Sequence, residues 1–108
     1  MPKHDIPALF RAARPLLAAL GDERRQEIVQ RLIEAGGVLT VGEIANAIEL
    51  SQPAVSHHLK ILRDAGVLGV QRVGTTRRYN LEIGSGTLEP LVDMVRGITE
   101  CLAEQGGD

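Results

Sequence analysis

The sequence predicts a mainly α-helical protein with one small β-hairpin, in the order α-α-α-α-β-β-α, within a single domain spanning residues 1–108. The hydrophobic fraction of 44% is enough for a modest core, and an aromatic fraction of only 2% means that aliphatic side chains must build it, which favours helix. Five segments show helical periodicity or helix-capping residues. Only residues 67–83 have a β-prone composition, and a glycine lies in the middle of this segment.

The first two predicted helices lie before a pair of glycines. Residues 6–20 carry apolar side chains spaced near 3.6 residues, although Pro15 should kink this helix or divide it into two pieces. Asp22 is expected to cap a second helix that runs to about Ala35, because its side chain can accept free backbone amides of the first turn. Gly36-Gly37 should end that helix.

Two shorter helices follow, joined by a tight connection. Thr40 and Glu43 have the spacing of a capping box, in which each side chain bonds the other residue's backbone amide, and they predict a helix over residues 41–48. Ser51 is expected to cap the next helix, which ends at the following glycine. Two helices with so short a connection predict a helix-turn-helix over about residues 40–66.

The remaining elements are a hairpin and a last helix. Val67–Val73 and Arg77–Ile83 are β-prone runs on either side of Gly74-Thr75-Thr76, and together they predict a β-hairpin, or wing. Thr87 is expected to cap the last helix, while Gly106-Gly107-Asp108 should fray. This helix has an apolar stripe at helical spacing, formed by Leu88, Leu91, Val92, Val95, Ile98 and Leu102.

Bulk properties argue against several classes of protein. The longest apolar run is far short of the ~20 residues that span a bilayer, and no signal-peptide pattern opens the chain, so we expect a cytoplasmic protein without membrane contact. Cys101 is the single cysteine, which rules out an internal disulfide and a cysteine-rich zinc module. The sequence has no Ser–His–acid spacing, phosphate-binding glycine loop or paired carboxylates, so we expect neither an enzyme nor a bound cofactor.

The charge is unevenly distributed along the chain. The formal net charge is −2, yet residues 50–80 hold five Lys and Arg residues against Asp64 alone, a local balance of +4 that leaves −6 elsewhere. A basic central segment in an otherwise acidic chain predicts a surface that binds an anion. Charge alone leaves open the alternative of a basic face that is merely solvated.

The stretch LSQPAVSHHLKILRDAGVL, residues 50–68, places two adjacent histidines on the second of the two shorter helices. At about 100° per residue, His57 lies at the edge of a polar face whereas His58 points towards the core. We therefore do not expect the two rings to bind one metal ion together, because a ligand pair on one helix needs a spacing of three or four residues. We expect His58 to be a neutral imidazole with a backbone or side-chain partner, and His57 to be either solvated or in contact with a molecule docked on that face.

The polar face has the chemistry of a DNA-reading surface. The second helix of a helix-turn-helix enters the major groove with its N-terminus first, where Gln bonds adenine, Ser bonds base edges, and Lys and Arg hold guanine or phosphate. Arginines beside the hairpin turn can reach phosphates or the minor groove. An ordinary amphipathic helix pair is the alternative. The predicted DNA-binding residues are Ser51, Gln52, Ser56, His57, Lys60, Arg63, Arg72, Arg77 and Arg78.

Three segments carry a family resemblance: LLAALGDERRQEIVQRL, LTVGEIANAIELSQPAVSHHLKILRDAGVL and VQRVGTTRRYNL. Their most specific part is the pattern S-x-H-L-x-x-L-x-x-A-G-[VL], from Ser56 to Val67. From about Leu16 to Leu102 the sequence resembles the ArsR/SmtB family of bacterial winged-helix repressors. The resemblance implies a homodimer that binds a palindromic operator in double-stranded DNA until an inducer releases it, with residues 1–20 and 87–103 as dimerisation helices. The implied interface residues are Leu9, Leu16, Leu91, Val95, Ile98 and Leu102.

The sequence departs from the metal sensors of that family. The third helix holds LTVGEIA, without the C-x-C pair of arsenic, cadmium and lead sensors, and no histidine lies between Leu88 and Leu102, where zinc and cobalt sensors place D-x-H and H-x-x-E. His4 is a lone residue near the terminus, so no metal site is predicted. Cys101 is either a small buried hydrophobe or a redox residue paired across the dimer, which would need Cα atoms within ~7 Å. The inducer stays unknown, and a winged-helix module for protein assembly is the alternative function.

Overall fold

A computed structural model describes residues 4–82, 84 and 86–106. In this part of the chain, five helices and a three-stranded antiparallel sheet form a winged helix-turn-helix, which confirms the predicted fold class. The predictions for Ile83 and for residues 107 and 108 lie outside the described residues. The elements are α1 (Ile6–Leu20), α2 (Glu23–Ala35), β1 (Val38–Thr40), α3 (Val41–Ile48), α4 (Gln52–Asp64), β2 (Leu68–Val73), β3 (Thr76–Leu81) and α5 (Glu89–Glu104).

One aliphatic core joins the first four helices and the sheet. The inward face of α4 contributes Val55, Leu59 and Leu62, which are spaced for one side of a helix and are almost fully buried. Burial of such a side chain contributes about 1.5–3 kcal/mol to stability. This packing leaves the opposite, polar face of α4 outward. The core residues of the other elements are Leu16, Ala19, Ile28, Leu32, Ile44, Ala45, Ile48, Val67, Leu68 and Tyr79.

Side-chain caps begin three of the helices where the sequence predicts them. The Asp22 carboxylate accepts two backbone amides of α2, at 2.8 and 3.0 Å. The Glu43 amide donates to Thr40 Oγ1 at 3.2 Å, and the Thr40 amide donates to Glu43 Oε1 at 2.8 Å, which confirms the capping box of α3. Ser51 Oγ accepts the amide of Ala54 at 3.3 Å. These local bonds determine which residue of α4 comes first in the helix.

α1 is not divided at Pro15: the helix is continuous through it, because the missing N–H removes only one hydrogen bond while packing against α5 supports the helix. A kink at Pro15 stays a prediction. The prediction for the start of α5 was wrong. Thr87 does not cap α5, since its hydroxyl donates instead to the backbone oxygen of Glu82 at 2.6 Å. The N-cap is Leu88, which makes no side-chain capping bond. The Thr87 hydroxyl is therefore engaged by the preceding loop and does not cap the helix.

The sheet contains a strand that the sequence analysis missed. β2 and β3 form the predicted hairpin, with Val73 paired to Thr76 across a two-residue turn in which Gly74 has a φ of +65°, a conformation that favours glycine. β1 pairs with the other edge of β3, so the strand order is β1-β3-β2. Three residues are too few to show alternation, so β1 had no sequence signal. Tyr79, in the central strand, is buried in the core.

Candidate nucleic-acid interface

An open groove lies between the polar face of α4 and the turn of the β2–β3 hairpin. It has a volume of about 730 Å³, and the N-terminus of α3 bounds it on a third side. The pattern of α4 explains this placement, because the helix buries one face in the core and presents the other to the hairpin. Five of the predicted DNA-binding residues line the groove: Gln52, Ser56, Lys60, Arg63 and Arg77.

Four of these five side chains are available to a ligand. Gln52, Ser56, Arg63 and Arg77 are exposed, and within the described part of the chain their side chains form no hydrogen bond or ion pair. An exposed polar group that is bonded only to water loses little when it exchanges that water for a base or a phosphate. Lys60 differs, because it is ion-paired with Asp64 on the same helix. The groove therefore offers unengaged donors of the types that read and hold DNA.

The hairpin divides its three arginines between two faces. Arg72 pairs directly with Arg77 across the strands, so both side chains project from one face, and Arg77 reaches the groove. Arg78 follows it in the chain and projects from the other face. The pKa of Glu43 lies below its ordinary value mainly because the Thr40 amide and hydroxyl bond the carboxylate, and the Arg78 charge lowers this pKa further. Arg78 is thus close enough to α3 for its charge to act on Glu43.

The other predicted DNA-binding residues lie outside the lining of the groove. Ser51 precedes α4 and its hydroxyl is engaged as the helix cap. His57 is exposed on α4, and Arg72 and Arg78 are exposed on the strands. The structure therefore brings five of the nine residues to one groove and distributes four around it.

The two histidines occupy the different environments that the helical spacing predicts. His57 is exposed, whereas His58 is half-buried on the inner side of α4. The His58 Nδ1 atom lies 3.2 Å from Nη1 of Arg25, so this ring has the expected side-chain partner. The ring centroids are 5.9 Å apart and the planes are tilted by 54°. The role of His57 stays a prediction.

Three consecutive side chains at the start of α2 hold the ends of other helices, and the sequence analysis missed them. Arg25 Nε donates to the oxygen of Ala19 at 2.7 Å, and Gln26 bonds the next carbonyl, so both cap α1. Arg24 Nη1 donates to the oxygen of Ile48 at 2.8 Å, at the end of α3. The available signal was a pair of cations directly after a predicted helix end, where the helix dipole favours positive charge.

The residues expected at a dimer interface differ in exposure. Val95 and Leu102 on α5 are 54% and 60% exposed, whereas Leu16 on α1 is only 3% exposed within the chain's own core. Leu16 therefore has almost no surface left for a second chain. Leu9, Leu91 and Ile98 are half-buried. The exposed large apolar residues of the two helices, called here the α1/α5 apolar face, are Phe10, Leu17, Val92, Val95 and Leu102.

The residues considered as metal or redox groups are dispersed. His4 Nε2 lies 2.8 Å from Glu100 Oε1, without the alignment of a hydrogen bond. Cys101 is half-buried, with Gln105 Nε2 at 3.9 Å from its sulfur. In the described residues, no three His, Cys, Asp or Glu side chains are grouped so that they could hold a metal ion. No helix in this part of the chain is long and apolar enough to cross a membrane.

The winged helix-turn-helix and its groove are typical of the DNA-binding transcription regulators, a class of proteins that are not enzymes. Residues 22–69 match the family model described as bacterial regulatory protein, arsR family. This region contains α2, the helix-turn-helix and the beginning of the hairpin.

Individual relatives extend the match. The HTH-type transcriptional regulator Rv2034 of Mycobacterium tuberculosis is 47% identical over 64 residues, which are 59% of this chain and 58% of that protein. The transcriptional repressor SdpR of Bacillus subtilis is 40% identical over 63 residues, which are 58% of this chain and 68% of that protein. The transcriptional activator HlyU of Vibrio cholerae is 33% identical over 90 residues, which are 83% of this chain and 79% of that protein. The chain belongs to the ArsR family of bacterial transcription regulators.

A solved structure supports the same assignment. The reduced form of HlyU from Vibrio cholerae superposes with a TM-score of 0.68 and 31% sequence identity, over 82% of this chain and 90% of that one. The likeness therefore covers more than the region of the family model.

Proposed function

We propose that the protein represses transcription by binding a palindromic operator in double-stranded DNA as a homodimer, and that a signal other than a metal ion releases it. The observation that carries this proposal is the groove between α4 and the hairpin, with its exposed and unengaged Gln52, Ser56, Arg63 and Arg77 in the described chain. The similarity to the transcriptional repressor SdpR supports repression as the effect on transcription. A regulator of this kind acts in the cytoplasm.

Base readout is assigned to the start of α4. Gln52 is the first helical residue and Ser56 follows one turn later on the same face, so both meet base edges when this end of the helix enters the major groove. A Gln amide can bond N6 and N7 of adenine, and a Ser hydroxyl can bond either partner of a base pair. Ser51 lies at the helix N-terminus, where backbone amides attract phosphate. His57 contacts DNA from the rim of this face.

Phosphate binding is assigned to the cations around that helix. Lys60 and Arg63 continue the polar face towards the C-terminal end of α4. Arg72 and Arg77 lie directly opposite each other on the hairpin, and like charges in that position repel. A phosphate bound between them relieves a repulsion that is present in the free protein, so the hairpin favours an anion at this place. Arg78 contributes less to phosphate binding, because its positive charge also interacts with the Glu43 carboxylate.

The homodimer is assigned to the α1/α5 apolar face. α1 packs against α5, and each helix still leaves large apolar side chains exposed, including Val95 and Leu102. Covering these side chains with a second copy removes apolar surface from water, which is the main source of association energy. Two-fold symmetry then presents two α4 helices to half-sites about one helical turn, ~34–36 Å, apart.

The signal is assigned to a class other than metal ions. The sequence has no cysteine in α3 and no histidine in α5, and the described residues contain no group of three potential metal ligands. Stoichiometric zinc or arsenite should therefore leave the complex with DNA intact in a titration followed by fluorescence anisotropy. Release at one equivalent of metal would contradict this part of the proposal.

The decisive experiment is genome-wide recovery of the DNA that the protein binds in cells, followed by transcription from the recovered promoters with purified components. We expect discrete sites with an imperfect palindrome and lower transcription when the protein is added. Higher transcription would instead favour an activator, as HlyU of Vibrio cholerae is named. Recovery of no discrete sites would favour the alternative, a winged-helix module that assembles with other proteins and does not read an operator.

A further inference from the structure

Arg25 connects three helices through its guanidinium group. Its Nε donates to the backbone oxygen of Ala19 at 2.7 Å and its Nη2 to that of Ala18 at 3.2 Å, both at the end of α1. Its Nη1 lies 3.2 Å from Nδ1 of His58 on α4. Its own backbone amide is bonded by Asp22, which begins α2. From the start of α2, one half-buried side chain thus bonds both the end of α1 and the middle of α4.

The position of His58 links its contact with Arg25 to the orientation of the exposed face of α4. It is half-buried on the inner side of the helix, within one turn of Val55, Leu59 and Leu62, which are almost fully buried. His57, the next residue before it, is exposed on the DNA-facing side. A rotation of α4 about its axis that broke the bond to Arg25 would therefore move the exposed face as well.

The bond also requires one form of the imidazole ring. A guanidinium group can only donate hydrogen bonds, so Nδ1 of His58 must accept and the ring proton must lie on Nε2. A second proton on Nδ1 would place an N–H group against the N–H of Arg25. The charged or titratable groups that act on this ring are Arg25 and Asp22 from α2 and His57 from α4 itself.

We propose that Arg25 and His58 are a positioning pair that holds α4 at a defined rotation on α1 and α2, and so sets the spacing of the two α4 helices in the dimer. The inference rests on the proposed function, because α1 carries part of the apolar face assigned to dimerisation. Neither residue needs to touch DNA. The pair matters for binding a whole palindrome, where both α4 helices must fit at once, and not for binding one half-site.

The test compares two substitutions that keep the shape of the His58 side chain near its ring atom Nδ1. His58→Leu places a methyl group there and removes the acceptor, whereas His58→Asn places an amide oxygen there and retains it. Arg25→Gln replaces the charged guanidinium donor by a shorter, uncharged amide, and Arg31→Gln is the matched control, because Arg31 is an exposed arginine of α2 that pairs with Glu34. Affinity is measured for the recovered palindrome, for a duplex with a single half-site, and for palindromes lengthened or shortened by one base pair.

We expect His58→Leu and Arg25→Gln to lose about tenfold or more in affinity for the palindrome, which is the range for one hydrogen bond to a charged group. Their affinity for the single half-site should stay within about twofold, and the preferred spacing should broaden. His58→Asn should restore palindrome binding, and Arg31→Gln should match the unaltered protein. Thermal unfolding of each variant checks that the protein is folded under the binding conditions.

Other results would overturn the inference. An equal loss on palindrome and half-site would mean that His58 acts on folding or direct contact, and no loss in His58→Leu would mean that the bond does not position α4. A protein without any preference for the palindrome would refute the proposed function, and the inference with it. The ¹⁵N shifts of the His58 ring, measured without DNA, give an independent readout: a protonated Nδ1 in the neutral ring would contradict the geometry.

Discussion

Lys60 and Asp64 form an ion pair on the exposed side of α4, with 2.9 Å between Nζ and Oδ2. Both residues line the groove, and among the described residues that line it Asp64 is the only acidic one. The two side chains are 74% and 68% exposed, so the pair is weak, of the order of 0.3–0.5 kcal/mol, and opens easily. In the free protein Asp64 therefore partly neutralises the lysine that we assign to phosphate.

Asp64→Asn should increase the affinity for every DNA sequence, because it frees Lys60 and removes a negative charge that repels phosphate. The salt dependence of binding should become steeper, by up to about one counterion. The control is Glu34→Gln, which removes the carboxylate partner of Arg31 on α2, away from the groove lining. Anisotropy titrations between 50 and 200 mM salt measure both quantities, in the range where such effects are largest. Unchanged affinity in Asp64→Asn would exclude a phosphate near Lys60.

Gln52→Ala should weaken binding to the operator while leaving binding to unrelated DNA unchanged. The amide of Gln52 is assigned to a base edge, and a good bidentate contact of this kind contributes about 1–3 kcal/mol of discrimination against a wrong base. Ser56→Ala should have a smaller effect of the same kind. Gln30→Ala on the exposed side of α2 is the matched control. An equal loss on operator and unrelated DNA would remove Gln52 from base readout.

Arg77→Ala should weaken binding to all sequences and make the salt dependence shallower by about one unit for each lost phosphate contact. The substitution also removes the repulsion with Arg72, so the free energy of unfolding should not fall. Arg31→Ala, on α2, provides the control for the loss of one positive charge. A salt dependence as steep as in the unaltered protein would contradict the assignment of the hairpin to phosphate.

Val95→Asp should convert a dimer into a monomer, because it places a charge within the α1/α5 apolar face, where Val95 is 54% exposed in one chain. Sedimentation velocity measures the mass, and palindrome binding should fall together with dimerisation. Ile33→Asp is the matched control, since Ile33 is 60% exposed at the end of α2, outside α1 and α5. A dimer that persists in Val95→Asp would place the interface elsewhere.

Asp22 makes the stability of the protein sensitive to acid. Its pKa lies below the ordinary value of 3.8, because the backbone amide of Arg25 bonds the carboxylate, and the Arg25 charge and the amide of Arg24 add to this. A carboxyl group with a lowered pKa in the folded state stabilises the fold above its ordinary pKa, and this contribution is lost as the pH falls through the lower, folded value.

Asp22→Asn should therefore flatten the fall in the free energy of unfolding on acidification through this range, while retaining a good helix cap at neutral pH. Urea unfolding at a series of pH values measures the slope. Asp93→Asn is the comparison, because Asp93 forms an i,i+3 ion pair with Arg96 on α5 and does not cap a helix. If both variants follow the same acid profile as the unaltered protein, the Asp22 bonds do not contribute to this dependence.

Sequence patterns predicted those parts of the molecule that depend on neighbours within a few residues. The capping box of Thr40 and Glu43 and the opposite environments of His57 and His58 follow from helix geometry, which is the same in any helical context. The polar face of α4 was predicted for the same reason. The residues that line the groove were not all predicted. Which of Arg77 and Arg78 faces the groove depends on the register of the hairpin, and the predicted start of β3 was one residue too late.

The sequence by itself determined the class of fold, the faces of its helices and the chemical type of the groove, because hydrophobic periodicity and capping are local properties. Only the tertiary structure decided which partner covers each face. Leu16 and Val95 both belong to apolar stripes, yet the first is 3% and the second 54% exposed. Arg25 and His58 are 33 residues apart in the chain, yet their side chains are in contact. β1 is a strand only because it pairs with β3, and its own sequence did not predict it. Such contacts depend on how distant segments pack, and a local pattern carries no information about that packing.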